Sequence, residues 1–402
     1  MSLEIRAPWL EAETTKAVWS ALTADGAFVR FVGGCVRNAV INGPPTDVDL
    51  VIDRAPEGAV DLLDRAGIRV EPTGFDHGVV MAVLDGQSFE IASMRRDVTP
   101  DGRRSKVEFG ADILEDAQRR DFTINALYAD EHGHVEDPIG WALSDLEARR
   151  VRFIGSPAKR IQEDYLRILR LFRFHAWYGE GEMEPPGLVA CAGLAGGLER
   201  VSRERIGAEI MKLLAAPDPS IALKAIEETG VMEHALPEAR RNGPFAALVA
   251  LERRYGLQPV DPLRRLALLT RGAAPEEVME RLRLSRHTAN ELAARSVSYP
   301  ITDSSTARRL GYERGAEAAR DVMLIAAADG GPAIHARWVG DINEGARQKL
   351  PVTANDLIDV GFTPGPRLGA ALASAERDWV ASDFVLDRAT LVSRASEMRE
   401  AG

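Results

Sequence analysis

Cysteine is scarce in this chain: Cys35 and Cys191 are the only two among 402 residues. Two cysteines are too few for a disulfide framework or a thiolate zinc site, which favours a reducing compartment. No apolar run approaches the ~18 residues of a membrane span, and residues 1–10 lack a basic flank followed by an apolar core. These absences predict a cytoplasmic protein that neither crosses a membrane nor is secreted.

An excess of basic residues is also absent, because the formal net charge is -11. This charge argues against a protein that coats nucleic acid with its whole surface, although a local basic track is compatible with it. The sequence has no repeat of fixed period and no low-complexity tract. A chain of 402 residues is long enough for two or more domains, each with a substantial core.

The pattern of apolar residues changes near residue 150. Before it, short β-type runs are separated by Gly, Asp and Pro at 28–32, 48–52, 79–84, 89–93 and 106–109. After it, apolar residues recur at helical spacing over 157–178, 202–215, 220–229, 244–255 and 262–270. The sequence therefore predicts an α+β head followed by a long helical body.

A glycine pair follows the first apolar run. Gly33 and Gly34 let the backbone approach a ligand closely, and a helix is expected to begin near Val36. Arg37 and the first amides of that helix would face the turn, and such groups suit a triphosphate. A lone Gly-Gly pair is usually only a turn.

Two carboxylates lie at the start of the next strand. Asp47 and Asp49 are two residues apart, so on a strand they point to the same side. Such a pair can share one or two Mg²⁺ ions, which bridge phosphates and activate an attacking hydroxyl. A lone pair of this kind is usually a solvated strand end, but the two patterns together predict metal-dependent handling of a nucleoside triphosphate.

The clearest helical pattern spans residues 163–174. On a continuous helix, Asp164, Arg167 and Arg170 fall within one 120° sector at ~100° per residue, with apolar packing residues between them. The ordinary interpretation is a surface ion pair at i, i+3. Three arginines at this spacing, with Arg173 the third, place more positive charge on one wall than helix stability needs.

These residues resemble the class II tRNA nucleotidyltransferases, or CCA-adding enzymes, and the related bacterial poly(A) polymerases. The resemblance covers most of the chain and rests on five segments in the family order. They are similar to motifs A to E of that family: Gly33 to Arg37 with Asp47 to Asp49, 119–127, 137–140 with 145–146, 163–167, and 202–206. One departure is visible, since Asn38 stands where the family usually has aspartate.

The resemblance implies a role for each matching residue. Asp47 and Asp49 would bind catalytic Mg²⁺, with Glu90 as a weaker candidate for a third carboxylate or a plain strand residue. Gly34 and Arg37 would hold the triphosphate, and Arg120 with Asp121 the ribose end. Asp164 and Arg167 would read the base, and Arg170 and Arg173 would complete the nucleotide wall.

The resemblance also implies a domain plan and substrates. We expect a nucleotidyltransferase head with a small mixed β-sheet at 1–150, a helical neck that recognises the base at 151–215, and a helical, tRNA-binding body and tail at 216–330 and 331–402. The substrates would be tRNA, CTP and ATP. No obligate protein partner is implied.

Several alternatives stay open. A bacterial poly(A) polymerase is the nearest, but the basic element that marks that branch is absent after Asp49, where residues 73–80 are similar to the CCA-adding branch. An enzyme that adds only CC or only A is compatible with the sequence. A small-molecule nucleotidyltransferase would not need the long helical body, and a non-catalytic RNA-binding protein would not need Asp47 and Asp49. No His-Asp dipeptide supports an appended phosphohydrolase domain.

Two further patterns of basic and histidine residues occur in the first part of the chain. Arg95 and Arg96, together with basic residues at 103–106, flank a Pro-Asp-Gly turn that suits a closing loop or, more commonly, a solvated hairpin tip. His77, His132 and His134 resemble no standard metal-ligand set, and surface or hairpin positions are expected for them.

Overall fold

The structure is a computed structural model that describes residues 3–71, 75, 78–97, 107–239 and 243–400. Its contacts divide the chain into two compact units, Met1–Pro237 and Glu238–Gly402. The finer four-part plan with divisions at 150, 215 and 330 stays a prediction. Over the described residues, no helix has the length and apolar content needed to span a membrane.

The first unit contains a mixed β-sheet. Its strands are β1 Val29–Val32, β2 Val48–Ile52, β3 Arg69–Glu71, β4 Val79–Leu84, β5 Gln87–Ser93, β8 Tyr128–Ala129 and β9 Val135–Glu136. Their order is β3-β4-β5-β2-β1-β8-β9, and of these pairs only β2 and β5 run parallel. The predicted strands at 28–32, 48–52, 79–84 and 89–93 are confirmed. The short strands β3, β8 and β9 were not predicted, because each carries too few apolar residues to show a period.

A second small sheet pairs β6 Arg95–Asp97 with β7 Val107–Phe109 in antiparallel register. Residues 107–109 of the predicted run therefore form a strand that pairs with β6. Residues 98–106 lie outside the described residues, as does His77. The closing role of the loop predicted there stays a prediction.

Helices surround the sheet and continue beyond it in the first unit. They are α1 Pro8–Glu11, α2 Glu13–Thr23, α3 Gly34–Val40, α4 Pro56–Arg65, α5 Ile113–Gln118, α6 Ala142–Glu147, α7 Pro157–Glu163, α8 Arg167–Tyr178, α9 Pro185–Leu194, α10 Arg203–Leu214, α11 Ser220–Glu228 and α12 Val231–Ala235. Helices α2 and α4 pack on each other and on the sheet, and α8 packs on α10 and α11. Buried Phe31, Leu50 and Phe89 form part of the core beneath the strands.

The second unit is helical over its described residues. Its helices are α13 Phe245–Arg254, α14 Pro262–Leu269, α15 Pro275–Leu282, α16 Arg286–Arg295, α17 Ser304–Arg314, α18 Ala316–Ala328, α19 Trp338–Ala346, α20 Ala354–Asp359, α21 Pro366–Ala381 and α22 Arg388–Glu400. One hydrophobic cluster joins α17, α18 and α19, and another joins α20, α21 and α22. The predicted helices at 244–255 and 262–270 are confirmed, so the α+β head followed by a helical body is the observed fold class.

The second unit also contains a buried network of ion pairs. Arg264 binds Asp321 and Glu252 at 2.6 and 2.9 Å. Arg265 binds Glu252 at 2.7 Å, and Arg295 binds Asp321 at 2.9 Å. The network fastens α13, α14, α16 and α18 to one another. Every buried guanidinium in it faces a carboxylate, so the charge of each is compensated within the protein.

Candidate active site

The glycine turn joins β1 directly to α3. Gly33 has a φ of +71°, a backbone conformation that residues other than glycine rarely adopt. A Cβ added to Gly34 would lie 3.1 Å from Oγ1 of Thr46, the residue before Asp47. The two glycines therefore let the turn lie against the segment that carries Asp47. Helix α3 begins at Gly34, two residues before the predicted start.

Arg37 is buried beside this turn, with an exposed fraction of 4%. Its Nε donates to Oδ1 of Asn38 at 3.0 Å, its Nη1 to Oδ1 of Asn125, and its Nη2 to the Tyr178 hydroxyl at 2.6 Å. All three acceptors are neutral. Among the described residues no carboxylate forms an ion pair with Arg37, and burial lowers the pKa of its guanidinium. Its positive charge is thus held by neutral partners and is uncompensated in the sense that no carboxylate pairs with it directly, although Asp121 attracts it from further away.

Asn38, the departure from the family pattern, uses both ends of its amide. Its Oδ1 accepts from Arg37, and its Nδ2 donates to the Pro44 carbonyl at 2.7 Å. An ionised aspartate accepts but cannot donate. Asparagine therefore holds the chain ahead of β2 and leaves the charge of Arg37 intact.

The carboxylates meet where β2 and β5 run side by side. Asp49 is in register with Glu90, and Asp47 lies exposed just before β2. Burial, with the nearby charges of Glu90 and Asp47, raises the pKa of Asp49 to about 7. Burial and the neighbouring carboxylates thus disfavour the ionised form of Asp49, and a divalent cation, which prefers oxygen ligands, would favour it. Among the described residues no three His, Cys, Asp or Glu side chains form a ready-made metal site, so Glu90 as a third ligand stays a prediction.

A cavity of about 180 Å³ lies between two of these carboxylates and two arginines, and Asp47 is not among its lining residues. Asp49 and Glu90 line one part of it, and Arg119 and Arg120 line another. The Arg120 guanidinium also approaches the turn, because a Cβ on Gly33 would lie 3.7 Å from its Nη1. A cavity with carboxylates and guanidinium groups in its wall is suited to a cation and the phosphates that it accompanies.

Arg120 is anchored by a fully buried acid that sequence reasoning missed. Its Nη2 lies 3.0 Å from Asp116 Oδ2, its Nε donates to the Tyr128 hydroxyl at 3.0 Å, and that hydroxyl donates to Asp116 at 2.8 Å. Burial alone would lower the pKa of Arg120, but these two partners raise it. Asp116 stands in α5 ahead of motif B, and its spacing of four residues from Arg120 was the available signal.

Asp121 is also buried and is shared by two partners. Its Oδ1 accepts from Asn125 Nδ2 at 3.0 Å, and its Oδ2 accepts from Arg170 Nε at 2.8 Å. Burial opposes ionisation, but Arg170 and Asn125 hold the pKa of Asp121 below its ordinary value. Since Asn125 also accepts from Arg37, the structure brings Arg37, Asp121 and Arg170 into one connected group. The linking roles of Asn125 and Tyr178 were missed, although Asn125 lies within the segment similar to motif B.

The continuous helix predicted over 163–174 is wrong. Helix α7 ends at Glu163, Asp164 is extended with φ -153° and ψ 107°, and α8 begins at Arg167. Asp164 breaks the helix because its Oδ1 accepts from the Leu166 amide at 3.1 Å, a local bond that competes with helical pairing. The sector argument that grouped Asp164 with Arg167 and Arg170 therefore fails.

Asp164 and Arg167 bind different partners. Asp164 Oδ2 accepts from Arg205 Nη2 at 2.7 Å, and Arg205 belongs to the segment similar to motif E. Arg167 Nη1 donates to Glu163 and, at 2.9 Å, to the Arg160 carbonyl. Its Nε and Nη2 form no hydrogen bond with the described residues. Both side chains thus keep hydrogen-bonding capacity for a ligand.

Arg173 forms an ion pair with a residue of α10 and not with Asp121 or Asp164. Its Nε donates to the buried Glu209 of α10 at 2.6 Å. Its guanidinium carbon also lies 4.1 Å from the centre of the Phe174 ring, which Arg37 and Arg170 approach at 5.4 and 5.2 Å. The contribution of Arg173 to a nucleotide wall stays a prediction.

His132 and His134 lie exposed around the turn between β8 and β9. His134 Nδ1 lies 2.9 Å from Asp130 Oδ2, within its own hairpin. The expected hairpin positions are confirmed.

Two family models match the chain. The Poly A polymerase head domain matches residues 29–152, and the probable RNA and SrmB-binding site of polymerase A matches residues 182–242. The first of these matches contains β1 to β9 together with the cavity and its arginines.

Full-length similarity extends to proteins from distant organisms. The chain is 31% identical to CCA tRNA nucleotidyltransferase 1, mitochondrial, of Danio rerio over 389 residues, 92% of this chain and 87% of that one. It is 30% identical to the CCA-adding enzyme of Limosilactobacillus fermentum over 402 residues, 97% of this chain and 98% of that one. The crystal structure of the Bacillus stearothermophilus CCA-adding enzyme in complex with CTP superposes with a TM-score of 0.78 at 25% identity, covering 99% of this chain and 100% of that one.

Proposed function

We propose, from the premise that this chain belongs to the family of class II CCA-adding enzymes and bacterial poly(A) polymerases, that it adds C, C and A to the 3' end of tRNA. The substrates are CTP and ATP, the product besides the extended tRNA is pyrophosphate, and no nucleic-acid template is used. Sequence identity of about 30% to enzymes of this name, over nearly the full length of the chain, supports the activity. The uncompensated charges at Asp49 and Arg37 are the structural observation that carries it, since they call for a cation and a polyanion together.

The family uses a divalent metal, and we assign Mg²⁺ to the carboxylates Asp47 and Asp49, with Glu90 beside them. Their oxygen ligands and the raised pKa of Asp49 fit a hard cation. When bound, the ion neutralises phosphate charge and activates the attacking hydroxyl. The remaining catalytic tasks belong to the side chains of the chain itself.

Those side chains bind and orient the nucleotide. Gly34 provides close backbone approach, and Arg37 supplies an uncompensated guanidinium to the triphosphate. Arg120, fixed by Asp116, extends the positive wall toward the ribose end with Asp121. The 3'-hydroxyl of the RNA then attacks the α-phosphorus, an oxygen-phosphorus bond forms, and the bond to the pyrophosphate oxygen breaks.

Asp164 and Arg167 provide base selection in this scheme. An ionised aspartate only accepts hydrogen bonds and an arginine only donates them. Cytosine and adenine each present an amine donor beside a ring nitrogen acceptor, whereas guanine and uracil present a carbonyl beside a ring N–H. The pair therefore satisfies C or A and leaves buried groups unpaired against G or U, a mismatch that polar sites reject strongly. The protein acts as the template.

The helical part of the chain contacts the tRNA. Duplex RNA is recognised mainly by backbone and shape, which suits an elongated surface better than a base-reading groove. The body at 216–330 and the tail at 331–402 are assigned to this contact. A protein with a net charge of -11 needs a local rather than a general basic surface for it.

The decisive experiment uses tRNA transcripts that end before CCA, after one C and after CC. Each is incubated with the protein and a single nucleotide, and the 3' ends are sequenced. We expect C to be added to the first two transcripts and A only to the third. Homopolymeric A tails would contradict the proposal and would identify a poly(A) polymerase. Addition that stops after CC would identify a CC-adding enzyme, and addition of A alone to transcripts ending in CC would identify an A-adding enzyme.

A further inference from the structure

Tyr178 is the last residue of α8 and contacts Arg37 in two ways. Its hydroxyl accepts from Arg37 Nη2 at 2.6 Å, and the guanidinium carbon lies 3.8 Å from the centre of its ring. Both contacts favour a cation: the phenol oxygen accepts a hydrogen bond from it, and the ring face attracts it electrostatically. Tyr178 lies outside the five segments that are similar to the family motifs.

Three separate segments hold the Arg37 guanidinium. Asn38 of α3 binds Nε, Asn125 of the 3-10 turn Thr123–Asn125 binds Nη1, and Tyr178 of α8 binds Nη2. Asn38 and Asn125 both lie close to the turn, whereas Tyr178 reaches it from a helix 141 residues away in sequence. Tyr178 therefore supplies the direct hydrogen bond by which α8, the helix of the proposed base-recognition segment, helps to determine where the Arg37 charge lies.

We propose that Tyr178 is a positioning residue for nucleotide binding, which holds Arg37 toward the triphosphate and keeps its charge uncompensated. This inference rests on the proposed function for the identity of the anion. A carboxylate at the same place would hold Arg37 equally well but would cancel the charge that the phosphates require. A neutral phenol holds the side chain without that cost.

Helix α8 also contacts Asp121, the group proposed for the ribose end of the nucleotide. Arg170, Phe174 and Tyr178 follow one another at spacings of four, so they lie along one face of the helix. Arg170 binds Asp121 at one end, and Tyr178 binds Arg37 about 12 Å further along, at ~1.5 Å per residue. One helix thus fixes the distance between Asp121, proposed for the ribose, and Arg37, proposed for the phosphates.

The test compares three full-length variants with the wild type. Tyr178→Phe keeps the ring and removes the hydroxyl, while Tyr178→Leu removes both. Trp177→Phe is the matched control, because Trp177 is the neighbouring aromatic residue and its Nε1 donates instead to the Lys212 carbonyl at 2.8 Å. For each protein, kcat and KM are measured for CTP on a transcript lacking CCA and for ATP on a transcript ending in CC. Dissociation constants for CTP and for inorganic tripolyphosphate are measured by equilibrium dialysis.

For Tyr178→Phe we expect KM and both dissociation constants to rise about fivefold, with kcat within about twofold of wild type. For Tyr178→Leu the rise is about thirtyfold, since the contact with the ring face is lost as well. Trp177→Phe should match the wild type in every value. CTP and ATP should shift equally, because the triphosphate is common to both. A structural role alone would lower kcat or the melting temperature without this selective rise in KM.

Unchanged binding in Tyr178→Phe, or an equal rise in Trp177→Phe, would overturn the inference. So would a fall in kcat at constant KM. Tyr178→Phe is close in shape to the wild type, so its result decides the matter even if Tyr178→Leu does not fold. Failure of the wild type to add C or A would count against the proposed function instead, and the tripolyphosphate measurement would still test the link between Tyr178 and Arg37.

Discussion

Buried arginines occur in both units of the molecule, but their surroundings differ. In the second unit, Arg264 and Arg295 are each 3% exposed and form ion pairs with carboxylates. Arg264 pairs with Asp321 and Glu252, and Arg295 pairs with Asp321, Glu291, Asp261 and Glu317. In the first unit, Arg37 is 4% exposed, and its hydrogen-bond partners among the described residues are two amides and a phenol. The three arginines are therefore buried to nearly the same extent, but Arg264 and Arg295 have carboxylate partners and Arg37 has neutral ones.

The pKa directions follow the same division. Burial lowers the pKa of Arg37. Burial acts on Arg264 and Arg295 too, but ion pairing with Asp321 and other acids reverses its effect and raises their pKa values. A compensated buried charge fastens helices together, whereas an uncompensated one is a place for an oppositely charged ligand. Arg37 is thereby distinguished from the arginines of the buried network in the second unit without reference to any relative.

The largest effect is expected from Asp49→Asn, which removes the carboxylate whose pKa is raised to about 7. Nucleotide addition should fall roughly thousandfold, because the cation loses a ligand. The ligand-free variant should nevertheless be more stable than wild type at pH 8, by on the order of 1 kcal/mol. Initial rates and denaturant unfolding at pH 6 and pH 8 measure the two effects.

The raised pKa of Asp49 makes the free energy of unfolding depend on pH. The folded protein holds a proton on Asp49 up to about pH 7, whereas the unfolded chain releases it near the ordinary value of 3.8. The stability associated with this proton is present at low pH and is lost as the pH rises through 7. The advantage of Asp49→Asn should therefore grow from pH 6 to pH 8 and shrink when Mg²⁺ is added to the wild type. A constant difference at both pH values would show that Asp49 is not the source.

The second prediction sets Arg37→Met against Arg264→Met. The first should raise KM for CTP and ATP roughly hundredfold, because a charge-assisted contact with the phosphates is lost, and should change the free energy of unfolding by less than ~1.5 kcal/mol. The second leaves Asp321 and Glu252 partly uncompensated and should lower the free energy of unfolding by about 3 kcal/mol. Steady-state kinetics and urea unfolding followed by circular dichroism measure both quantities.

This contrast disappears if Arg37→Met destabilises the protein as strongly as Arg264→Met does. In that case Arg37 would serve mainly to fasten α3, and the distinction between compensated and uncompensated arginines would carry no functional meaning. If stabilisation by CTP is lost in Arg37→Met and kept in Arg264→Met, the contrast between the two arginines extends to ligand binding.

An intermediate effect is expected from Arg167→Ala. The side chain of Arg167 is 17% exposed and that of its partner Glu163 is 39% exposed, so the ion pair is partly solvated and the fold should persist without it. Discrimination against UTP and GTP should fall about tenfold, while Mg²⁺ dependence stays near wild type. Arg160→Ala is the matched control, since Arg160 pairs with the same Glu163. Equal use of all four nucleotides by the wild type would refute the base-reading role.

The smallest effect is expected from Asn38→Asp, which restores the usual family residue. The new carboxylate still accepts from Arg37 but no longer donates to the Pro44 carbonyl, and it partly compensates the Arg37 charge. KM for both nucleotides should rise about threefold with kcat unchanged. A fall in KM would mean that compensation of Arg37 favours binding, contrary to the comparison.

The strands around the site were predictable because their signals are local. The apolar runs ending at Gly33 and beginning after Asp47 specify β1 and β2. The helix over 163–174 was not predictable from spacing, because the Asp164 side chain takes the Leu166 amide and interrupts a pattern that is otherwise helical. Asn125 and Tyr178 were missed as partners of Arg37 because hydrogen bonds across 88 and 141 residues leave no periodic trace.

By itself the sequence determined the order of the motifs, the paired aspartates, the glycine turn and the family that they resemble, since all of these depend on residue type and short spacing. Only the tertiary structure decided which arginines have their charge compensated. Charge compensation depends on which side chains meet after folding, so the same residue type is ion-paired beside Asp321 and held by neutral partners beside Tyr178. Burial with neutral partners is a property of the folded chain, and it is the basis on which we propose that Arg37 binds the phosphates.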